Sequence, residues 1–146
     1  MRRSRIRAYV HIVWATRQRL PLISPEMEER LYRCIESESL KLKVKTLSIG
    51  GMPDHIHFVG TMPATCSFAE LVRQLKGVSS RFVQTELLPG EFFEWQEGYG
   101  LFTLSKNHVE KAVTYVKNQK RHHTTDTVWP EWEETDEETL PPGVQQ

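Results

Sequence analysis

The chain has 146 residues, 38% of them hydrophobic and 26% charged, with 19 basic and 19 acidic side chains that balance to a formal charge of zero. That length suits one domain; no run approaches the roughly 20 apolar residues of a membrane span, and no signal-like apolar stretch follows the basic N-terminus, so a cytoplasmic protein without a membrane role is expected. Two cysteines, Cys34 and Cys66, make neither a disulfide framework nor a paired-thiolate zinc motif, and both read as small buried hydrophobes.

Arg7 to Thr16, rich in Val, Ile, Tyr and Trp, reads as a strand. Ser24-Pro25 opens a helix, with serine as N-cap, proline at the first helical position and acids in the first turn. It runs to about Lys41 with Met27, Leu31, Cys34 and Ile35 on one face. A second strand covers about Val44 to Gly50, and Gly51-Met52-Pro53-Asp54 turns the chain, hairpin fashion, into a third strand that ends near Met62. Ser67 with Glu70 forms a capping box for a helix carrying Leu71, Leu75, Val78 and Phe82 on one face. Gly90 and the aromatic cluster Phe92-Phe93-Glu94-Trp95 precede a fourth strand, Tyr99 to Leu104. Asn107 with Glu110 is a second capping box, opening a last helix in which Val109, Ala112, Val113 and Val116 form the expected buried stripe. Lys111, Tyr115, Gln119 and His122 form their own stripe roughly 120° away, which points Tyr115 and Gln119 outward from the core edge. The β-α-β-β-α-β order matches the split, ferredoxin-like pattern. An α+β fold is therefore expected: an antiparallel sheet with two helices on one face, plus an extra C-terminal helix, carrying the tyrosine, free to swing or to pack on another subunit.

Charge is unevenly spread. Residues 126–146 hold seven acidic side chains and no Lys or Arg, leaving 19 basic against 12 acidic in residues 1–125, and six arginines (Arg2, Arg3, Arg5, Arg7, Arg17 and Arg19) precede the first acid, Glu26. We read residues 1–125 as the domain and 126–146 as an acidic, flexible tail. A basic body with a basic arm suits a polyanionic partner, although solvated surface charge explains it equally well.

Two pairs of residues carry chemistry. His55 and His57 are two apart in a strand, so both imidazoles project from one face. Tyr115 and Gln119 are four apart in a helix and stack on one face. Two imidazoles and a carboxamide oxygen can hold a divalent cation, with the tyrosine as the nucleophile it serves. Asp54 is placed to fix an imidazole tautomer, or simply to make the turn. Taken singly, each has a bland reading: histidines on an exposed strand face, an amphipathic tyrosine at a helix boundary, and a solvated glutamine. Lys117, Lys120, Arg121, His122 and His123 are likewise the cations favoured at any helix C-terminus.

The combination resembles a family. His55-Ile56-His57 after Pro53-Asp54, together with Tyr115-Val116-Lys117-Asn118-Gln119, is similar to the signature of the single-tyrosine His-hydrophobic-His (HUH) transposases of small insertion sequences and of their relatives associated with repetitive extragenic palindromes (REP). The stretches His11-Ile12-Val13-Trp14-Ala15-Thr16, with Arg17 and Arg19, and Trp95-Gln96-Glu97-Gly98-Tyr99-Gly100 match as well, so the resemblance runs from about residue 7 to 123. It implies an enzyme that cuts and rejoins single-stranded DNA, with hairpin-bearing ends as partner. By position it implies His55 and His57 as metal ligands, Gln119 as the third protein ligand, Tyr115 as nucleophile, and a homodimer in which the tyrosine helix completes the partner's site.

Such a reaction would pass through a 5′-phosphotyrosine that conserves the bond energy, so no nucleotide cofactor and no phosphate-cradling glycine loop are expected. Neutral nitrogen and oxygen ligands suit Mg²⁺ or Mn²⁺ and add no negative charge to repel DNA. A tyrosine of pKa about 10 needs help to ionise, from the metal, a water or a cation such as Lys111. Basic grooves with aromatic stacking bind single strands; the candidates are Arg2, Arg3, Arg5, Arg73, Lys76, Arg81, Lys120 and Arg121, with Trp14, Trp95 and Tyr99. Trp14 serves equally well as core. Two rivals remain: a DNA-binding relative that has lost catalysis, and an unrelated zinc hydrolase using His11, His55 and His57.

Overall fold

Two central strands buried on both faces organise the molecule, which a computed structural model describes for residues 6–120. The elements are β1 (Tyr9–Ala15), a single 3₁₀ turn (Arg17–Arg19), α1 (Pro25–Lys41), β2 (Thr46–Met52), β3 (His55–Thr61), α2 (Phe68–Phe82) prolonged by a π turn (Val83–Leu87), β4 (Gly100–Leu104) and α3 (Lys106–Lys117). The sheet has the order β2-β3-β1-β4 with every neighbour antiparallel, as the ferredoxin-like expectation requires.

Even-numbered residues of the central strands face α1 and α2. Val10, Ile12, Trp14, Ile56 and Phe58 join Leu31, Ile35, Leu71, Leu75, Phe93 and Trp95 in the main core. The odd-numbered set, His11, Val13, His57 and Val59 among them, lies on the opposite face by the period of two. That face is where the structure departs from the sequence pattern. Instead of swinging free, α3 docks on it within the same chain. Ala112, Tyr115 and Val116 cluster with Val59, and Ser48 Oγ donates to the Val113 carbonyl at 3.0 Å.

The docking face of α3 is also rotated from the expected one. Its buried residues are Ala112, Tyr115, Val116 and, just beyond the helix, Gln119, an i, i+3, i+4, i+7 set, whereas Val109 and Val113 are only partly buried. Tyr115 and Gln119 therefore do not look outward; each is about as buried as the core, at 2% and 1% exposure. The cause is the polar floor they meet: imidazoles on the sheet offer partners to an amide and an aromatic ring that an aliphatic floor would not. Helix α3 also starts earlier than the Asn107–Glu110 capping box, with Ser105 as N-cap and its hydroxyl hydrogen-bonded to His108. By contrast Ser67 Oγ does accept from Glu70 N–H.

Two glycines admit the close contacts. A Cβ on Gly50 would lie 2.2 Å from the Val116 carbonyl oxygen, and one on Gly51 would lie 2.2 Å from the His55 carbonyl oxygen. Both residues belong to β2, which shortens the hairpin turn to Pro53-Asp54. Among the described residues no helix is long and apolar enough to cross a membrane.

Candidate active site

Strand register builds the site. Along β1 and β3, Val13 sits opposite His57 and Ala15 opposite His55, with His11 opposite Val59. One face thus carries a row of three imidazoles, His11, His57 and His55, all at most 2% exposed. Neighbouring ring centroids lie 5.0 Å apart for His11–His57 and 5.1 Å for His55–His57. The shared face of His55 and His57 was legible from their spacing; their burial was not, because α3 covers them.

Each histidine of the β3 pair has its Nδ1 tied down. His55 Nδ1 lies 2.7 Å from Asp54 Oδ1, and His57 Nδ1 lies 2.8 Å from His11 Nε2. Burial raises the Asp54 carboxyl, but the hydrogen bond and charge of His55, with Arg19 and a backbone donor, outweigh it and hold the group below the usual carboxylate range. An ionised carboxylate only accepts, so His55 Nδ1 carries the hydrogen, and Nε2 presents a lone pair when the ring is neutral. His55 Nε2 lies 3.2 Å from the Gln119 carboxamide oxygen, while Gln119 Nε2 donates to the Tyr115 carbonyl at 3.5 Å. A proton on His55 Nε2 makes that contact a hydrogen bond, and a cation held between the two atoms would take its place.

The donor set fits a small divalent cation. Atoms bound at about 2.0–2.2 Å to one ion lie about 2.8–3.6 Å apart when the ligand angle is between a right angle and the tetrahedral value, and the His55–Gln119 separation falls in that interval. His55, His57 and Gln119 would hold the ion through two neutral nitrogens and one neutral oxygen, with the Nδ1 partners behind the histidines orienting them. Tyr115 meets this cluster edge-on, its ring 5.8 Å from that of His57 at 77°.

The rival zinc triad does not form this way. His11 makes a direct ring-to-ring hydrogen bond behind His57, and no group of three His, Cys, Asp or Glu able to hold an ion occurs among the described residues. His11 was weighed in the sequence only as a ligand of that triad; its contact with His57 needs the β1–β3 register, which local pattern does not carry.

The remaining candidates separate. Trp14 is wholly buried and Trp95 nearly so, meeting edge to face at 5.9 Å, with Trp95 Nε1 donating to Ser79 Oγ at 3.0 Å. Both are core and unavailable for base stacking, whereas Tyr99 is 37% exposed. Lys76 spends its ammonium on the Gln96 and Gly98 carbonyls, and burial pushes its pKa down. Lys120 bonds both Glu28 carboxylate oxygens and the Gly51 carbonyl, pinning the end of α3 to α1 and β2. Arg73, Arg81 and Lys111 are exposed. Burial raises both cysteine thiols, though Cys34 is only partly buried. Arg2, Arg3, Arg5, Arg121, His122, His123 and the acidic tail lie outside the described residues.

Comparison with known proteins gives the family and agrees with the fold. The family described as "Transposase IS200 like" matches residues 4–119. A curated relative, the ISDra2 transposase TnpA of Deinococcus radiodurans, is 23% identical over 114 residues, covering 75% of this chain and 81% of its own. Among solved structures, a transposase from Deinococcus radiodurans R1 superposes with a TM-score of 0.65 at 21% identity, covering 82% of this chain and 98% of its own. A REP-associated tyrosine transposase bound to a REP hairpin gives 0.63 at 16% identity, covering 88% of this chain and 74% of its own.

Proposed function

The chain belongs to the IS200-like transposase family, and from that premise we propose that it cleaves and rejoins single-stranded DNA through Tyr115, with a divalent cation held by His55, His57 and Gln119. One observation carries this reading: the Gln119 oxygen meets His55 Nε2 at 3.2 Å while Tyr115, one helical turn earlier, lies edge-on to His57. Four residues from two distant parts of the sequence converge on one buried spot.

The Tyr115 phenol oxygen attacks the phosphorus of a phosphodiester. A phosphorus–oxygen bond to the tyrosine forms and the bond to the 3′-oxygen breaks, giving a 5′-phosphotyrosine. The phenol gives up its proton and the departing 3′-oxygen gains one. A bound cation, Mg²⁺ or Mn²⁺, supplies charge stabilisation on the phosphate oxygens. His55 and His57 act as neutral ligands with fixed orientation, Asp54 and His11 standing behind them. Attack by another 3′-hydroxyl reverses the step and rejoins strands. With the rings buried beneath α3, DNA enters when that helix lifts.

The substrate we propose is single-stranded DNA with hairpin-bearing ends, supported by the hairpin-bound relative; Arg73 and Arg81 offer exposed phosphate contacts. A homodimer belongs to the same proposal, although here the tyrosine and glutamine come from the same chain as the histidines. The test is a denaturing gel of protein incubated with labelled hairpin DNA and Mn²⁺. A shifted, protease-sensitive band is expected, and none in Mn²⁺-free reactions; no adduct under any metal condition would overturn the mechanism.

A further inference from the structure

We propose that His11 is a positioning residue that selects the tautomer of His57: its Nε2 accepts a hydrogen bond from His57 Nδ1–H and so leaves His57 Nε2 with a lone pair for a cation. The proposal rests on the reading of His57 as a cation ligand, and adds a residue to it.

The geometry is specific. His11 Nε2 and His57 Nδ1 are 2.8 Å apart, a short, direct contact between two fully buried rings. The register makes them diagonal neighbours, since His11 pairs with Val59 and Val13 pairs with His57, and a diagonal pair on one sheet face lies within reach of ring-bearing side chains. On its other flank His11 is held by Phe102, directly opposite on β4, with ring centroids 6.0 Å apart.

A neutral imidazole has one N–H and one lone pair. If His57 donates from Nδ1, its Nε2 can bind a cation; if it accepts at Nδ1, Nε2 carries the hydrogen and cannot. The direction of the hydrogen bond at Nδ1 therefore decides whether His57 is a ligand at all. His55 has the same arrangement with Asp54 in place of His11, so the two ligands are served by unlike partners. The carboxylate is 32% exposed, and the imidazole is buried.

Two variants test this. His11→Leu removes both ring nitrogens at similar volume, and His11→Gln returns an amide oxygen near the position of Nε2. Long-range proton–nitrogen NMR spectra of the metal-free protein read the tautomer directly. Wild type should show His57 protonated at Nδ1 with Nε2 bare; the opposite tautomer in wild type would overturn the proposal without any variant. Titration with MnCl₂ alone, followed by calorimetry or by the signal of free Mn²⁺, should weaken about 10- to 100-fold in His11→Leu, the range typical when the group behind a histidine ligand is lost. In His11→Gln the tautomer and the Mn²⁺ affinity should return together. An unchanged affinity in His11→Leu, or a folded His11→Gln as weak as His11→Leu, would sink the positioning role. Wild type with the stated tautomer but no Mn²⁺ binding would support the tautomer assignment and overturn the cation reading beneath it.

Discussion

Tyr115 is buried with its ring edge against His57, so its ring and its hydroxyl do separable work. Tyr115→Phe keeps the ring contact and loses at most about 0.5–1.5 kcal/mol of hydrogen bonding. It should fold and bind single-stranded DNA yet form no covalent adduct on a denaturing gel; a persisting adduct would make another residue the nucleophile. His55→Ala and His57→Ala should each abolish metal-dependent cleavage while sparing most DNA affinity, because phosphate contacts come from the basic surface. Wild-type cleavage by the double variant in Mg²⁺ would refute the ligand assignment. The side-by-side histidines were readable at this scale because a strand's period is two and needs no tertiary knowledge. The His11–His57 contact was not, since it depends on how β1 and β3 slide past each other, and neither was the burial of Trp95, which follows from its hydrogen bond to Ser79 on α2.

Helix α3 shows why an element can be foreseen and still be misplaced. Its existence follows from sequence, but its rotation follows from the floor beneath it: an amphipathic pattern with two overlapping stripes is ambiguous until the partner surface is known, and here that surface carries imidazoles. Gly50 sets how closely the helix approaches. Gly50→Ala forces a methyl against the Val116 carbonyl, an overpacking that should cost about 1–3 kcal/mol. Native-state hydrogen exchange should show it as lost protection in α3 with β3 unaffected; equal loss across both elements would mean that the whole fold, not the docking, had suffered. On the opposite face Glu38 pairs with Lys41 Nζ at 2.8 Å within α1 and joins α1 to α2 through Gln74 Nε2 at 3.1 Å. The Lys41 hydrogen bond, offset by burial and aided by Gln74, holds its carboxyl below the usual carboxylate range. A depressed folded-state pKa stabilises above the unfolded value and is lost as pH falls through the folded one. The stability gap between wild type and Glu38→Gln, measured by chemical denaturation, should therefore be present at neutral pH and close in acid. A gap that widened in acid would contradict the pairing.

For the molecule as a whole, the strand and helix order was legible because hydrophobic periods and turn residues are local, and the ferredoxin-like arrangement follows from that order. The dimer is a separate matter. A homodimer should be seen by light scattering at micromolar concentration with DNA and Mn²⁺ present; only monomer under those conditions would count against it. If α3 lifts to admit DNA as proposed, one equilibrium would govern two opposing quantities, because the helix carries Tyr115 and Gln119 and also covers the histidines. On that proposal the fraction of molecules with the roof off would set how fast a strand can enter, and the fraction with it on would set how often an entered strand is cut. Each 1.4 kcal/mol added to docking shrinks the open fraction about tenfold. Turnover should therefore pass through a maximum at intermediate docking strength, and a graded series of substitutions at Lys120, the clasp on Glu28 and Gly51, would trace both slopes of that curve.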